Sequence, residues 1–156
     1  MDRFRANLHW EASATRGRST ASELEHMVYF PGRGDEKGVC VSPSMQHQGC
    51  AKPMELLLAA VSSSMMISFI ELCVSQSIVV FDYQDQAELL MRTDERGEAQ
   101  LDFIRLKPVV RFSTPHSDRL QTFAIRFLGE AQVHSLLIRT LSVPIKLQPH
   151  FEFGVQ

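Results

Sequence analysis

Three thiols are the residues best equipped for redox or metal chemistry in this chain: Cys40, Cys50 and Cys73. A thiolate attacks peroxides, exchanges with disulfides and binds soft metals. An odd count leaves at least one thiol without an intramolecular partner, and a disulfide-built secreted scaffold carries more cysteines, usually in even number. A reduced, cytoplasmic protein is therefore expected. Cys40, His47 and Cys50 offer three zinc ligands in one stretch, but a closed structural site takes four and the spacing is not that of a finger, so no metal is expected. The run Ser62-Ser63-Ser64 lacks the Gly-x-Ser-x-Gly elbow of a serine hydrolase. No glycine-rich phosphate loop follows a strand, so no nucleotide or other cofactor is expected.

The elements that must position these groups follow from hydrophobic periodicity. Phe4, Ala6, Leu8, Trp10 and Ala12 alternate with polar residues, which predicts a half-buried strand over about 3–13. Further strands are expected over 22–30, ending at Pro31-Gly32, and over 39–41. A long helix is expected over 53–76, opened by Pro53 at a position that suits proline. It is apolar almost all round, so it is expected to be covered on most sides, partly by a second subunit. A hairpin over 79–112 turns at Thr93–Gly97, with a one-residue slip after Phe103 that a bulge would cause. Helices are expected at 116–128 and 131–141, broken at Gly129, and a last strand at 143–153. The whole is a single α+β domain over 1–156 with mainly antiparallel sheets around a long buried central helix.

At 156 residues, 44% apolar and 22% charged, the chain has the composition of a soluble globular domain. Its net charge of −2 supplies no one-signed field for nucleic acid or an anionic membrane. Residues 1–6 carry basic side chains without an apolar stretch behind them, so no export signal is expected. The greasiest segment, Leu56 to Val74, contains Ser62, Ser63, Ser64, Ser68 and Glu71, too many polar groups for a comfortable membrane span. Nucleic acid and membrane are both set aside as partners.

The segment Lys52-Pro53-Met54-Glu55-Leu56-Leu57-Leu58-Ala59-Ala60-Val61-Ser62-Ser63-Ser64 resembles the central helix of the OsmC/Ohr family, bacterial thiol peroxidases that reduce organic hydroperoxides. A second stretch, His134-Ser135-Leu136-Leu137-Ile138-Arg139-Thr140-Leu141 followed by Val143-Pro144-Ile145, resembles the family's second cysteine motif. The resemblance implies an intertwined homodimer. It places Ser64 and Ser135 where the family has its reactive and resolving cysteines. It also points to Arg16 or Arg18, in the loop after the first strand, as the assisting arginine, and to Glu55 as the acid. Serine has no sulfenate or disulfide chemistry and its hydroxyl is scarcely ionised near neutral pH, so the two-thiol cycle is expected to be lost.

Helical geometry gives Ser64 its neighbours. Ala60, Ser64, Ser68, Glu71 and Ser75 fall in a stripe about 80° wide, while Cys73 turns half a revolution away and is expected to be a core thiol. The stripe either admits a second helix or lines a pocket in which Ser64, Ser68 and Glu71 bind a ligand. The leading expectation is an OsmC-like homodimer without peroxidase activity, holding a small apolar or anionic molecule at a dimer cleft. The rivals are a divergent hydroperoxide reductase with Cys50 as nucleophile and an external thiol as reductant, and a purely structural dimer.

Overall fold

The computed structural model describes residues 4–9, 24–30, 38–43 and 49–154. They form strands β1 (Asn7–His9), β2 (His26–Tyr29) and β3 (Val39–Val41), helix α1 (Pro53–Ser75), strands β4 (Val80–Asp85), β5 (Glu88–Thr93), β6 (Ala99–Leu106) and β7 (Pro108–Phe112), helices α2 (Asp118–His134) and α3 (Leu136–Thr140), and strands β8 (Ile145–Leu147) and β9 (His150–Phe153). The architecture is α+β. Two compact units are distinguished, residues 1–56 and 57–156.

In the first unit β1, β2 and β3 make an antiparallel sheet in that order, with Leu8 opposite Val28 and Val28 opposite Val39. On the apolar face expected of the first strand, Phe4 is 87% and Leu8 64% exposed, and Trp10 and Ala12 lie outside the described residues. Alternation specifies which side chains share a face, not what will cover it.

The second unit holds the main core. Val61, Met65, Phe69 and Cys73 recur every fourth residue along α1 and are fully buried against Ile104, Leu106, Val110 and Phe112 and against Leu120, Ala124, Phe127, Leu128 and Ala131 of α2. Burying each large apolar side chain contributes about 1.5–3 kcal/mol. Among the described residues the fully buried side chains of α1 thus form one stripe, flanked by half-buried Leu57, Leu58, Ile70 and Leu72, rather than the cover on most sides that its composition suggests. Ile67 and Val74, on other faces, remain 52% and 67% exposed. It is also the one helix among the described residues long and apolar enough to cross a membrane.

The ends of α1 are chemically defined. Pro53 opens it, and the Lys52 N–H donates to Glu55 Oε2 at 2.8 Å, the reciprocal half of a capping box. At the other end Ser77 takes a left-handed φ of 57°. Its N–H donates to Val74 O at 3.0 Å and the Ile78 N–H to Cys73 O at 2.9 Å. That is a Schellman closure with serine where glycine is usual.

The expected long hairpin is present but serves two sheets. β4, β7 and β9 form one, in the order β4-β7-β9, and β5, β6 and β8 the other, in the order β5-β6-β8. Each arm therefore changes sheet midway, at Gln86–Ala87 and at Lys107. The final strand does the same at Gln148–Pro149, and its halves pair parallel, β8 with β6 and β9 with β7, which the expectation of mainly antiparallel sheets did not include. A bulge lies where β5 meets β6: Leu90 faces Phe103 and Met91 faces Leu101, leaving Asp102 over. Consecutive Phe103 and Ile104 point to opposite faces and are both buried, Phe103 beneath the Arg105 guanidinium and the Lys146 ammonium. At the hairpin tip Asp94 Oδ1 accepts the Arg96 and Glu98 N–H groups at 2.9 Å, and Gly97 supplies the φ of 82°.

α2 differs from the expected break. It runs unbroken through Gly129, where an added Cβ would meet nothing within 4 Å; a glycine in an exposed helical position costs only about 1 kcal/mol. The break comes at Ser135 instead.

Candidate functional site

Ser64 lies on α1 and Ser135 at the joint between α2 and α3, 71 positions apart in sequence. Their hydroxyl oxygens are 2.7 Å apart, in hydrogen-bonding contact. Local structure explains why Ser135 is there. Its ψ of 114° ends α2, its N–H still donates to Ala131 O at 2.8 Å, and its carbonyl accepts the Arg139 N–H at 3.0 Å. Its Oγ accepts the Ile138 N–H at 3.4 Å, capping α3. Ser135 is 1% exposed, and Ser64 is half-buried. Among the described residues the partners of the two hydroxyls are each other and one amide, with no histidine or carboxylate among them to act as a base.

Two residues before Ser64 on α1, and so on a different face of the helix, the Ser62 hydroxyl donates to Asp85 Oδ2 at 2.6 Å, while Asp85 Oδ1 accepts the Lys107 N–H at 2.7 Å. Asp85 thus ties α1 to the point where both hairpin arms change sheets. Beside it, burial among α1 and sheet residues and the Asp85 charge together push the Tyr83 hydroxyl well above its ordinary pKa. Farther along, Glu88 pairs with Lys107 and with Arg105 Nη1 (2.9 Å to the latter), which holds its carboxyl below the usual range.

The other sequence-derived candidates fall in several places. Ser68, half-buried, is one turn beyond Ser64, and Glu71 is exposed. Glu55 is occupied as the helix cap. It is nine residues from Ser64, about 13.5 Å of rise and half a revolution on an α-helix, so α1 does not bring the two together. Arg16 and Arg18 lie outside the described residues, as does His47. Cys73 is fully buried, and desolvation pushes its thiol up to about 12. A cleft of about 240 Å³ is lined by Gln84, Gln86, Lys107, Val109, Gln148 and His150; it does not border Ser64.

Cys50 is the clearest departure from expectation. Its sulfur is bonded to that of Cys40, so neither is a free thiolate, and Cys50 is not poised as a nucleophile served only by an external thiol. The Glu25 carboxylate and the two sulfurs lie within 4.8 Å of one another, but bridged sulfurs are not the deprotonated thiolates that a metal site needs. The signal that could have suggested the bridge is the ten-residue separation between a strand and the segment feeding a helix. Two residues so placed are brought side by side by the backbone.

No protein-family model matches the sequence, and no curated protein matches it. Solved structures do. An OsmC-like protein of unknown function from Vibrio cholerae superposes with a TM-score of 0.81 at 19% identity, covering 96% of this chain and 99% of that one. An OsmC-like protein from Mycoplasma pneumoniae gives 0.73 at 12%, covering 97% and 98%. An organic hydroperoxide resistance protein from Elizabethkingia anophelis gives 0.64 at 15%, covering 98% and 97%. Over almost its whole length the chain has the OsmC-like fold.

Proposed function

We propose that this chain, whose fold is that of OsmC-like and organic hydroperoxide resistance proteins, is a member of the OsmC/Ohr family that has no thiol peroxidase cycle at the family's site. It acts as a cytoplasmic homodimer in the response to oxidative stress. A small apolar or anionic molecule binds beside Ser64 at the boundary between protomers.

One observation carries the reading: Ser64 Oγ and Ser135 Oγ are 2.7 Å apart. These are the two positions at which the family resemblance places the paired cysteines, and a pair that must close a disulfide has to be near contact. The positions are right for the chemistry and the atoms are not. A sulfenic acid requires sulfur, and a serine hydroxyl without a base is a poor nucleophile toward a peroxide oxygen. The apolar surface that α1 leaves uncovered at Ile67 and Val74 supports a second protomer.

The test is peroxide consumption. Purified protein with cumene hydroperoxide and a dithiol is expected to consume no peroxide above the protein-free rate. A thermal-shift screen of fatty acids and small organic anions is expected to find a stabilising ligand. Turnover that survives replacement of Cys40 and Cys50 would overturn the inactive site, and a screen without any shift would favour a purely structural dimer.

A further inference from the structure

We infer that Cys40 and Cys50 form a reversible thiol–disulfide exchange site whose substrate is an external dithiol. The inference does not rest on the function proposed above.

Three observations lead there. Both cysteines are only half-buried, in contrast to the sealed Cys73, so a reagent can reach the bridge. The backbone also holds the two residues together without it. The Ala51 N–H donates to Cys40 O at 2.9 Å and the Ser42 N–H to Ala51 O at 3.1 Å, with Val41 and Ala51 in a parallel bridge. When the S–S bond opens, those hydrogen bonds keep the thiols adjacent, and re-closure is an intramolecular step at high effective concentration. Finally, the Glu25 carboxylate stands within 4.8 Å of both sulfurs, where its charge acts directly on an approaching thiolate.

The exchange balances as follows. A thiolate of the dithiol attacks one sulfur, forming a mixed disulfide as the Cys40–Cys50 bond breaks. The other protein sulfur leaves as a thiolate in that step; the dithiol's second thiol then closes on its first sulfur and expels the protein sulfur held in the mixed disulfide. Two electrons pass to the protein, the dithiol becomes a cyclic or bridged disulfide, and its two protons end on Cys40 and Cys50. An external disulfide reverses the sequence. Opening the bridge releases the covalent hold of β3 on the residues that enter α1 at Pro53.

The experiment is alkylation read by intact mass in native buffer. After dithiothreitol, two additions are expected without denaturant and a third, at Cys73, only with it. Oxidised glutathione, given to a reduced sample in place of the alkylating reagent, should restore the bridged mass. No addition under native conditions, three together, or failure to re-close would each overturn the inference. The Glu25→Gln variant is expected to be reduced on the order of fourfold faster at low ionic strength, since a unit charge at that range repels the incoming thiolate. The difference should vanish in high salt. Equal rates at low salt would remove the carboxylate from the site.

Discussion

The Ser62 hydroxyl and the Asp85 carboxylate meet at 2.6 Å, and the same carboxylate takes the Lys107 N–H at 2.7 Å. One side chain thus joins the central helix to the corner at which both hairpin arms pass from one sheet to the other. Asp85→Ala leaves a hydroxyl and an amide without their acceptor and is expected to cost about 2–3 kcal/mol. Asp85→Asn, which keeps an acceptor oxygen, should cost about 1 kcal/mol. Urea denaturation of the two variants checks the order; equal losses would deny the amide its part.

Installing sulfur at both members of the hydroxyl pair tests the site directly. Ser64→Cys with Ser135→Cys is expected to close a disulfide spontaneously in air, seen as a loss of two mass units and of two titratable thiols. Closing a loop this long stabilises by about 4 kcal/mol in the chain-entropy model. Two thiols that stay free under oxidation would mean that the hydroxyl contact does not translate into sulfur geometry.

Ile67 and Val74 are the surface on which the proposed dimer rests. The parent protein should elute and scatter at twice the 17.7 kDa chain mass. Ile67→Lys is expected to shift it toward the monomer, because a charge would have to be buried in an apolar contact. A parent that scatters as a monomer would remove the dimer from the proposal.

Much of this architecture is written in the sequence, and the parts that are not have physical reasons. The Pro53 start and the apolar density give α1 to within a residue of its observed end at Ser75. Alternation gives the hairpin strands but is silent about which sheet each half joins, because a strand that changes sheets keeps its period of two. Parallel pairing of β8 with β6 and of β9 with β7 is set by tertiary packing and leaves no local mark. Gly129 misleads because its cost in a long helix is small beside the burial of Phe127, Leu128 and Ala131 around it. The meeting of Ser64 with Ser135 could be anticipated only through resemblance to a family. The Cys40–Cys50 bridge escaped because connectivity is not contained in a cysteine count.

Stability should fall at both ends of the pH scale for identifiable reasons. Cys73, its thiol pushed up to about 12 by burial, and Tyr83, raised by burial and by Asp85, ionise earlier in the unfolded chain than in the folded one. The unfolded state therefore loses protons first, and stability present below about pH 8.5 declines as the pH rises beyond it. Cys73→Ala and Tyr83→Phe should each flatten that decline in urea midpoints. Glu88 is the opposite case. Lys107 and Arg105 hold its carboxyl low, so its contribution is present above the ordinary carboxylate pKa and is lost as the pH drops below about 4. Glu88→Gln should flatten the acid side, and an unaltered acid slope would tell against the ion pairs.

Ser77 carries a left-handed φ of 57° at the close of α1. Glycine adopts that conformation without the Cβ clash. Ser77→Gly is expected to stabilise by about 1 kcal/mol, measured as a raised melting temperature; a lowered one would mean that the serine side chain contributes more than its strain.

Ser135 answers to two demands, because the atom that reaches Ser64 also caps the amide that begins α3. Oxygen accepts that amide better than sulfur does. Folding alone thus favours a small hydroxyl there over alanine or valine, which would strand the Ile138 amide. A change at this one atom is therefore read out twice, at the contact between the hydroxyls and at the joint between two helices.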